Sequence, residues 1–194
     1  MGTRGKSEPE AVAALLAVQD GVLTRQQALS GGLTEGELRT RIRRGLWVPL
    51  YPGVYVTHTG EPSLSQREWA AVLDAEPAAL AGRSALRAVG LTGGDTGPVQ
   101  IVVDRHRRVS RRPGVRVRHG EGLDDRVLWH AAPPRSRTEE AVLDVAAAAR
   151  SEMEAVAVLA EALGARVTTV DRLIAAIGRR ARISGRKFLL AVLE

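Results

Sequence analysis

The segment 21–57 constrains the fold more than any other part of the chain, because signals that end a helix recur throughout it. Gly21, the run Ser30-Gly31-Gly32, and Gly45 each predict the end of a helix. Only short helices fit between these glycines, so this part of the chain cannot form a long bundle helix.

Two threonines in this segment predict where the short helices begin. Thr24 is an N-cap for a predicted helix over Arg25–Leu29. Thr34 is followed three residues later by Glu37, the capping-box pattern, and this pair opens a predicted helix over 35–44.

A hairpin is predicted directly after these helices. Trp47–Leu50 and Val54–Thr57 are short apolar strands, and Tyr51-Pro52-Gly53 between them is a turn signal. One more helix precedes the segment, over 8–19 with Ser7 as its N-cap. Three helices followed by a hairpin is the order of a winged helix-turn-helix.

Composition places the domain boundary near 57–62, where Thr, Gly and Pro concentrate. Residues 8–60 are therefore assigned to the winged helix-turn-helix, and 61–194 to a mixed α/β domain, so the fold class is α+β. The second domain combines predicted strands, a turn and helices: strands Val99–Asp104, Val115–His119 and Val127–Ala131, a turn at Gly93-Gly94-Asp95, and helices over about 64–75, 83–89, 136–149, 151–163, 169–180 and 184–193.

Charge favours an acidic partner. The formal net charge is +6, and residues 104–118 alone hold seven Arg against one Asp. A basic balance of this kind is typical of proteins that bind nucleic acid. The sequence has no cysteine, which excludes disulfides and thiol chemistry, and no apolar run long enough for a membrane span. We therefore expect a cytoplasmic protein.

The third predicted helix carries the strongest DNA-binding pattern. Leu38 and Ile42 share one face, which we expect to pack on the first two helices. The opposite face is small, hydroxyl-bearing or basic, which suits a major groove: Gly36, Arg39, Thr40, Arg43 and Arg44. Arg binds the O6 and N7 atoms of guanine bidentately. Thr24 and Arg25 begin the preceding helix, whose first amides could hold a phosphate. The rival interpretation is a solvated charged face.

A second basic cluster lies between the first two predicted strands of the second domain. Its members are all arginines: Arg105, Arg107, Arg108, Arg111 and Arg112. They would contact the DNA backbone, or an acidic face of a protein partner, or form a solvated hairpin tip. The net charge favours the DNA backbone.

No catalytic constellation is evident, so we expect a binding protein without cofactor or metal rather than an enzyme. Asp104 lies at a strand end, but the Glu-x-Lys pattern of a metal-dependent nuclease does not follow it. Glu139, Glu140 and Asp144 have helical spacing, and a surface face near Arg137 explains them. The four histidines show no paired spacing for a metal.

Several strings of residues resemble the AbiEi-type antitoxins of type IV toxin–antitoxin systems, in their actinobacterial form. The strings begin with Gly21-Val-Leu-Thr-Arg-Gln-Gln-Ala28 and Arg41-Ile-Arg-Arg-Gly-Leu-Trp-Val-Pro-Leu-Tyr-Pro-Gly-Val-Tyr55. They continue with Gly82-Arg-Ser-Ala-Leu-Arg-Ala-Val-Gly-Leu91, Pro98-Val-Gln-Ile-Val-Val103, Pro113-Gly-Val-Arg-Val117 and Arg137-Thr-Glu-Glu-Ala-Val-Leu-Asp-Val-Ala146. The resemblance covers about residues 20–150.

This resemblance implies a specific role. In the family, an N-terminal winged helix binds repeats in its own promoter, and the C-terminal part supports antagonism of a nucleotidyltransferase toxin and paired binding on DNA. Many members continue into an endonuclease-like domain, for which these residues offer no match, so the chain corresponds to a shorter member or to a piece of a longer one. We expect a repressor on double-stranded DNA with inverted repeats, bound as a homodimer. The alternative is an interaction module that binds an acidic protein without specific DNA readout.

Overall fold

The chain is α+β and divides into two compact units, Met1–Pro77 and Ala78–Glu194, here called the N-terminal and C-terminal units. The computed structural model describes residues 9–91 and 97–194. The predicted N-cap Ser7 and the predicted turn at Gly93-Gly94-Asp95 lie outside the described residues. None of the helices in those ranges combines the length and the apolar character needed to cross a bilayer.

The N-terminal unit contains four helices and three short strands from residue 9 onwards, where its description begins. In chain order these are α1 (Glu10–Val18), β1 (Val22–Thr24), α2 (Arg25–Ser30), α3 (Glu35–Arg43), β2 (Val48–Tyr51), β3 (Val54–Val56) and α4 (Leu64–Asp74). The predicted starts of the second and third helices are confirmed, and both are fixed by capping boxes. Thr24 caps α2 with Gln27, and Thr34 caps α3 with Glu37.

The sheet of this unit has three strands in the order β1-β3-β2, all antiparallel. The sequence predicts only the β2–β3 hairpin. β1 joins it because Val22 pairs with Val56 and Thr24 with Val54, which places β3 in the centre. Three residues carry too short a pattern to predict a strand, so the pairing partner decides that β1 exists.

Helices pack against both faces of this sheet. One core cluster joins α1, α2 and α3 through Val12, Leu23, Ala28, Leu33, Leu38 and Trp47. The other packs α4 on the sheet through Trp69, Ala70 and Leu73 against Val22, Val54 and Val56. The boundary therefore falls after Pro77 rather than near residue 60, because α4 buries its apolar face on the N-terminal sheet.

The C-terminal unit contains a five-stranded sheet and six helices within its described residues. In chain order its elements are β4 (Ala78–Leu80), α5 (Gly82–Arg87), β5 (Val99–Asp104), β6 (Val115–Gly120), α6 (Leu123–Arg126), β7 (Val127–Leu128), β8 (Arg135–Ser136), α7 (Thr138–Ala147), α8 (Glu152–Gly164), α9 (Val170–Arg179) and α10 (Arg186–Leu193). The strand order is β6-β5-β4-β8-β7. α7 lies at the core, with Ala141, Val142 and Leu143 fully buried.

β5 and β6 are parallel, with Val99 opposite Val115 and Asp104 opposite Gly120. The hairpin-tip interpretation of the arginine loop is therefore wrong, because the segment 105–114 runs back along the whole length of β5. An extended segment of ten residues spans roughly 33 Å, more than the ~20 Å length of a six-residue strand. The sequence did not reveal this because a short link between strands usually indicates a hairpin.

Candidate nucleic-acid interface

α3 turns a basic face outwards and an apolar face inwards. Leu38 is 2% exposed, and Ile42 packs against the same core cluster. Of the five positions on α3 proposed to read DNA, Thr40 is half-buried. The other four are exposed: Gly36, Arg39, Arg43 and Arg44. The periodicity argument is therefore confirmed for the orientation of this helix.

The first turn of α3 is acidic, but its carboxylates are already engaged. The Glu37 carboxylate accepts hydrogen bonds from the backbone N–H and the hydroxyl of Thr34, both at 2.9 Å. The Glu35 carboxylate forms an ion pair with the guanidinium of Arg25 at the start of α2. These contacts offset part of the negative charge that the N-terminal end of α3 presents to solvent.

Thr40 donates its only hydroxyl hydrogen within the helix, to the carbonyl oxygen of Gly36 at 2.8 Å. A hydroxyl in this arrangement can still accept a hydrogen bond and still presents its methyl group. Gly36 has open space where a Cβ would stand. This part of the face is therefore small and accepting, whereas Arg39, Arg43 and Arg44 supply donors.

The backbone amides at the start of α2 are largely occupied. The Arg25 amide donates to the carbonyl oxygen of Gly53 at 2.7 Å, and the Gln27 amide donates to the hydroxyl of Thr24 at 3.0 Å. These two amides are therefore not available to donate to a phosphate, contrary to the expectation from the sequence. The bond from the Arg25 amide attaches the turn of the β2–β3 hairpin to α2, and the bond from the Gln27 amide belongs to the N-cap of α2.

Arg41 and two aromatic residues connect α3 to the hairpin, a role that sequence reasoning missed. The Arg41 guanidinium lies 5.8 Å from the ring centroid of Trp47, and the Trp47 and Tyr55 rings are 6.2 Å apart. Guanidinium groups bind aromatic faces through the ring quadrupole. The sequence places Arg41 six residues before Trp47, but only the packing of the structure shows that the two side chains are in contact.

The loop after β5 exposes most of its arginines. Arg107, Arg108 and Arg111 are exposed, and Arg112 is half-buried. Arg105 forms a hydrogen bond and an ion pair with Glu121, and that hydrogen bond, followed by the Coulomb attraction of Glu121, raises the pKa of the Arg105 guanidinium above its ordinary value. Arg105 therefore has its charge largely matched by a neighbour.

The acids of α7 do not form a surface face, contrary to the sequence interpretation. Glu140 and Asp144 accept hydrogen bonds from Arg180, at 2.6 and 2.8 Å, and their side chains are only 4% and 13% exposed. Arg137 instead donates to the backbone oxygen of Asp125. Tertiary packing brings Arg180 to α7 from 36 residues away, a contact that helical spacing cannot predict.

No group of three or more potential metal-ligating His, Cys, Asp or Glu side chains occurs among residues 9–91 and 97–194. No protein-family model matches the sequence, and no curated protein matches it either. The fold is similar to the crystal structure of the RV2827C protein from Mycobacterium tuberculosis, with a TM-score of 0.52 and 19% sequence identity. That alignment covers 99% of this chain and 79% of the mycobacterial chain. At this identity the likeness concerns the fold alone.

Proposed function

We propose that the N-terminal unit is a winged helix-turn-helix that binds double-stranded DNA with α3 in the major groove. The observation that carries this proposal is the outer face of α3, where Arg39, Arg43 and Arg44 are exposed. Arg39 and Arg43 are one helical turn apart, about 6 Å along the axis. That separation corresponds to about two base-pair steps of ~3.4 Å, so the two guanidiniums address bases about two positions apart.

The β2–β3 hairpin takes the role of the wing. Its turn is attached to α2 by the hydrogen bond from the Arg25 amide to the carbonyl oxygen of Gly53. Trp47, the residue before β2, contacts Arg41 of α3 and lies beside the ring of Tyr55 in β3. A rigid connection of this kind supports the proposal, because phosphate contacts by a wing fix the register in which a recognition helix reads bases.

The resemblance to AbiEi-type antitoxins extends the proposal to a biological role. The chain acts in the cytoplasm as a repressor of its own promoter and counteracts a nucleotidyltransferase toxin. It acts by binding and not by catalysis. One α3 helix reads too few base pairs for adequate specificity, so two copies bind inverted repeats about one helical turn apart.

Fluorescence anisotropy with DNA from upstream of the gene, beside a scrambled duplex, tests the proposal. We expect the native duplex to bind about a thousandfold more tightly than the scrambled one. The double variant Arg39→Ala/Arg43→Ala removes two bidentate contacts, each contributing ~1–3 kcal/mol of discrimination. It should therefore lose most of the preference while keeping its fold.

The matched control is Arg67→Ala/Arg172→Ala, which removes the same charge from two exposed positions outside α3. It should keep the preference for the native duplex. Equal affinity of the wild-type protein for both duplexes would overturn the reading of bases by α3. Tight binding to a co-expressed protein together with a weak salt dependence on DNA would instead favour the interaction module.

A further inference from the structure

The C-terminal unit contains an open cleft of about 920 Å³. Its walls come from the end of β6, the segment 121–126, α7, and the segment 179–184, which begins at the last residue of α9. Six arginines line it, against four acidic side chains. None of the DNA-reading positions on α3 contributes to it, because α3 belongs to the other unit.

The floor of the cleft is an ion network with more guanidiniums than carboxylates. Arg118, Arg126 and Arg180 share the carboxylates of Glu140 and Asp144, at distances of 2.6–3.8 Å. Arg180 is 9% exposed, so the network is well shielded on that side. Arg118 and Arg126 keep 43% and 33% of their side chains exposed. Their remaining N–H donors are therefore accessible to a ligand.

Two further arginines line the cleft without being neutralised. Arg179 and Arg182 are exposed, and no carboxylate in the described ranges forms an ion pair with either of them. Arg105 also lines the cleft, but Glu121 matches its charge. The positive charge that remains is thus concentrated where the segment 179–184 meets the network.

We propose that this cleft binds the phosphate groups of a ligand. Guanidinium groups bind phosphate bidentately, and a concave surface with an excess of positive charge, here six arginines against four acids, attracts anions. The volume lies within the ~300–1,000 Å³ range of ligand sites. The phosphates come from a free nucleotide or from a nucleic-acid strand. The proposal goes beyond the DNA-reading function and does not depend on it.

The test uses the full chain carrying Arg39→Ala/Arg43→Ala, so that α3 does not contribute. Calorimetric titrations use inorganic pyrophosphate and ATP, and anisotropy uses a labelled single-stranded oligonucleotide. Adding Arg179→Ala/Arg182→Ala should weaken binding of at least one probe by about tenfold or more, because charge-assisted hydrogen bonds are lost. The control pair Arg67→Ala/Arg172→Ala should change it by less than about twofold.

Binding of pyrophosphate and ATP would identify a free nucleotide as the source, whereas binding of the oligonucleotide alone would identify a nucleic-acid strand. A second measurement needs no cleft variant: pyrophosphate or the oligonucleotide should shift the arginine Nε–H resonances of the protein in NMR spectra. Absence of binding by all three probes, or equal losses in the cleft and control variants, would overturn the proposal. The cleft variant in an otherwise wild-type chain should keep its preference for the upstream duplex, so the two proposals fail separately.

Discussion

The guanidinium of Arg25, the first residue of α2, forms an ion pair with the carboxylate of Glu35, the first residue of α3. The pair spans the turn between the two helices, and both side chains are about half exposed, at 54% and 49%. Its contribution to stability is therefore small, since exposed pairs contribute ~0–1 kcal/mol. Its larger effect is on charge, because it offsets an acid at the end of α3 that the proposed function places against DNA.

We predict that Glu35→Gln tightens binding to every duplex without changing the preference for the native one. The substitution removes a negative charge and frees Arg25 for a phosphate, and neither change involves a base edge. Anisotropy on native and scrambled duplexes measures both effects. The exposed acid Glu61→Gln, outside the helices, is the control and should have a smaller effect. A loss of affinity in Glu35→Gln would contradict the expected gain.

Loss of the α3 cap should destabilise the N-terminal unit. Thr34→Ala removes the hydroxyl that accepts from the Glu37 amide, and N-cap losses cost about 0.5–2 kcal/mol. Urea unfolding followed by tryptophan fluorescence measures the change. Thr59→Ala, at an exposed loop position, should leave the midpoint unchanged. Equal stability of both variants would show that the capping box contributes nothing to folding.

Trp47 and Trp129 should differ sharply in their effect on stability. Trp47 is 3% exposed in the core beneath α3, whereas Trp129 is 36% exposed. Trp47→Ala should cost about 3–5 kcal/mol through the cavity that it leaves, and Trp129→Ala much less. Calorimetry of both variants checks this, and the loss in Trp47→Ala should fall on the transition of the N-terminal unit. Similar melting curves for the two variants would contradict the assignment of Trp47 to the core.

The buried network of the C-terminal unit should be sensitive to loss of one partner. Arg180→Ala leaves Glu140 and Asp144 with less compensation, and breaking a buried pair costs ~3–5 kcal/mol. Arg179→Ala, at the adjacent exposed position, should change stability by less than ~0.5 kcal/mol. Chemical denaturation measures the free energy of unfolding of both variants. Little loss in Arg180→Ala would show that Arg118 and Arg126 hold the carboxylates without it.

The arginine loop gives a salt-dependent prediction. Arg108 and Arg111 are exposed, so Arg108→Ala/Arg111→Ala should leave the fold intact. If both contact phosphates, the slope of log affinity against log salt should fall by about two. Anisotropy on the native duplex over a series of salt concentrations gives that slope. An unchanged slope would exclude Arg108 and Arg111 from the DNA interface.

The sequence predicts α2 and α3 because the interactions that define them join residues close together in the chain. Thr24 and Thr34 satisfy amides three residues away, and Leu38 turns inwards because helical geometry places it beside Ile42. These relationships depend on neighbours within one helical turn. A single sequence therefore determined where these helices begin, and which face of α3 meets solvent.

Relationships between distant residues were decided only by the tertiary structure. Val22 becomes a strand residue because Val56 pairs with it, β6 runs parallel to β5, and Arg180 binds Glu140 across 40 residues of chain. α4 belongs to the N-terminal unit because Trp69 packs against the apolar side chains of its sheet. Strand pairing and the burial of charge depend on which partner folding supplies, and no local pattern records that partner.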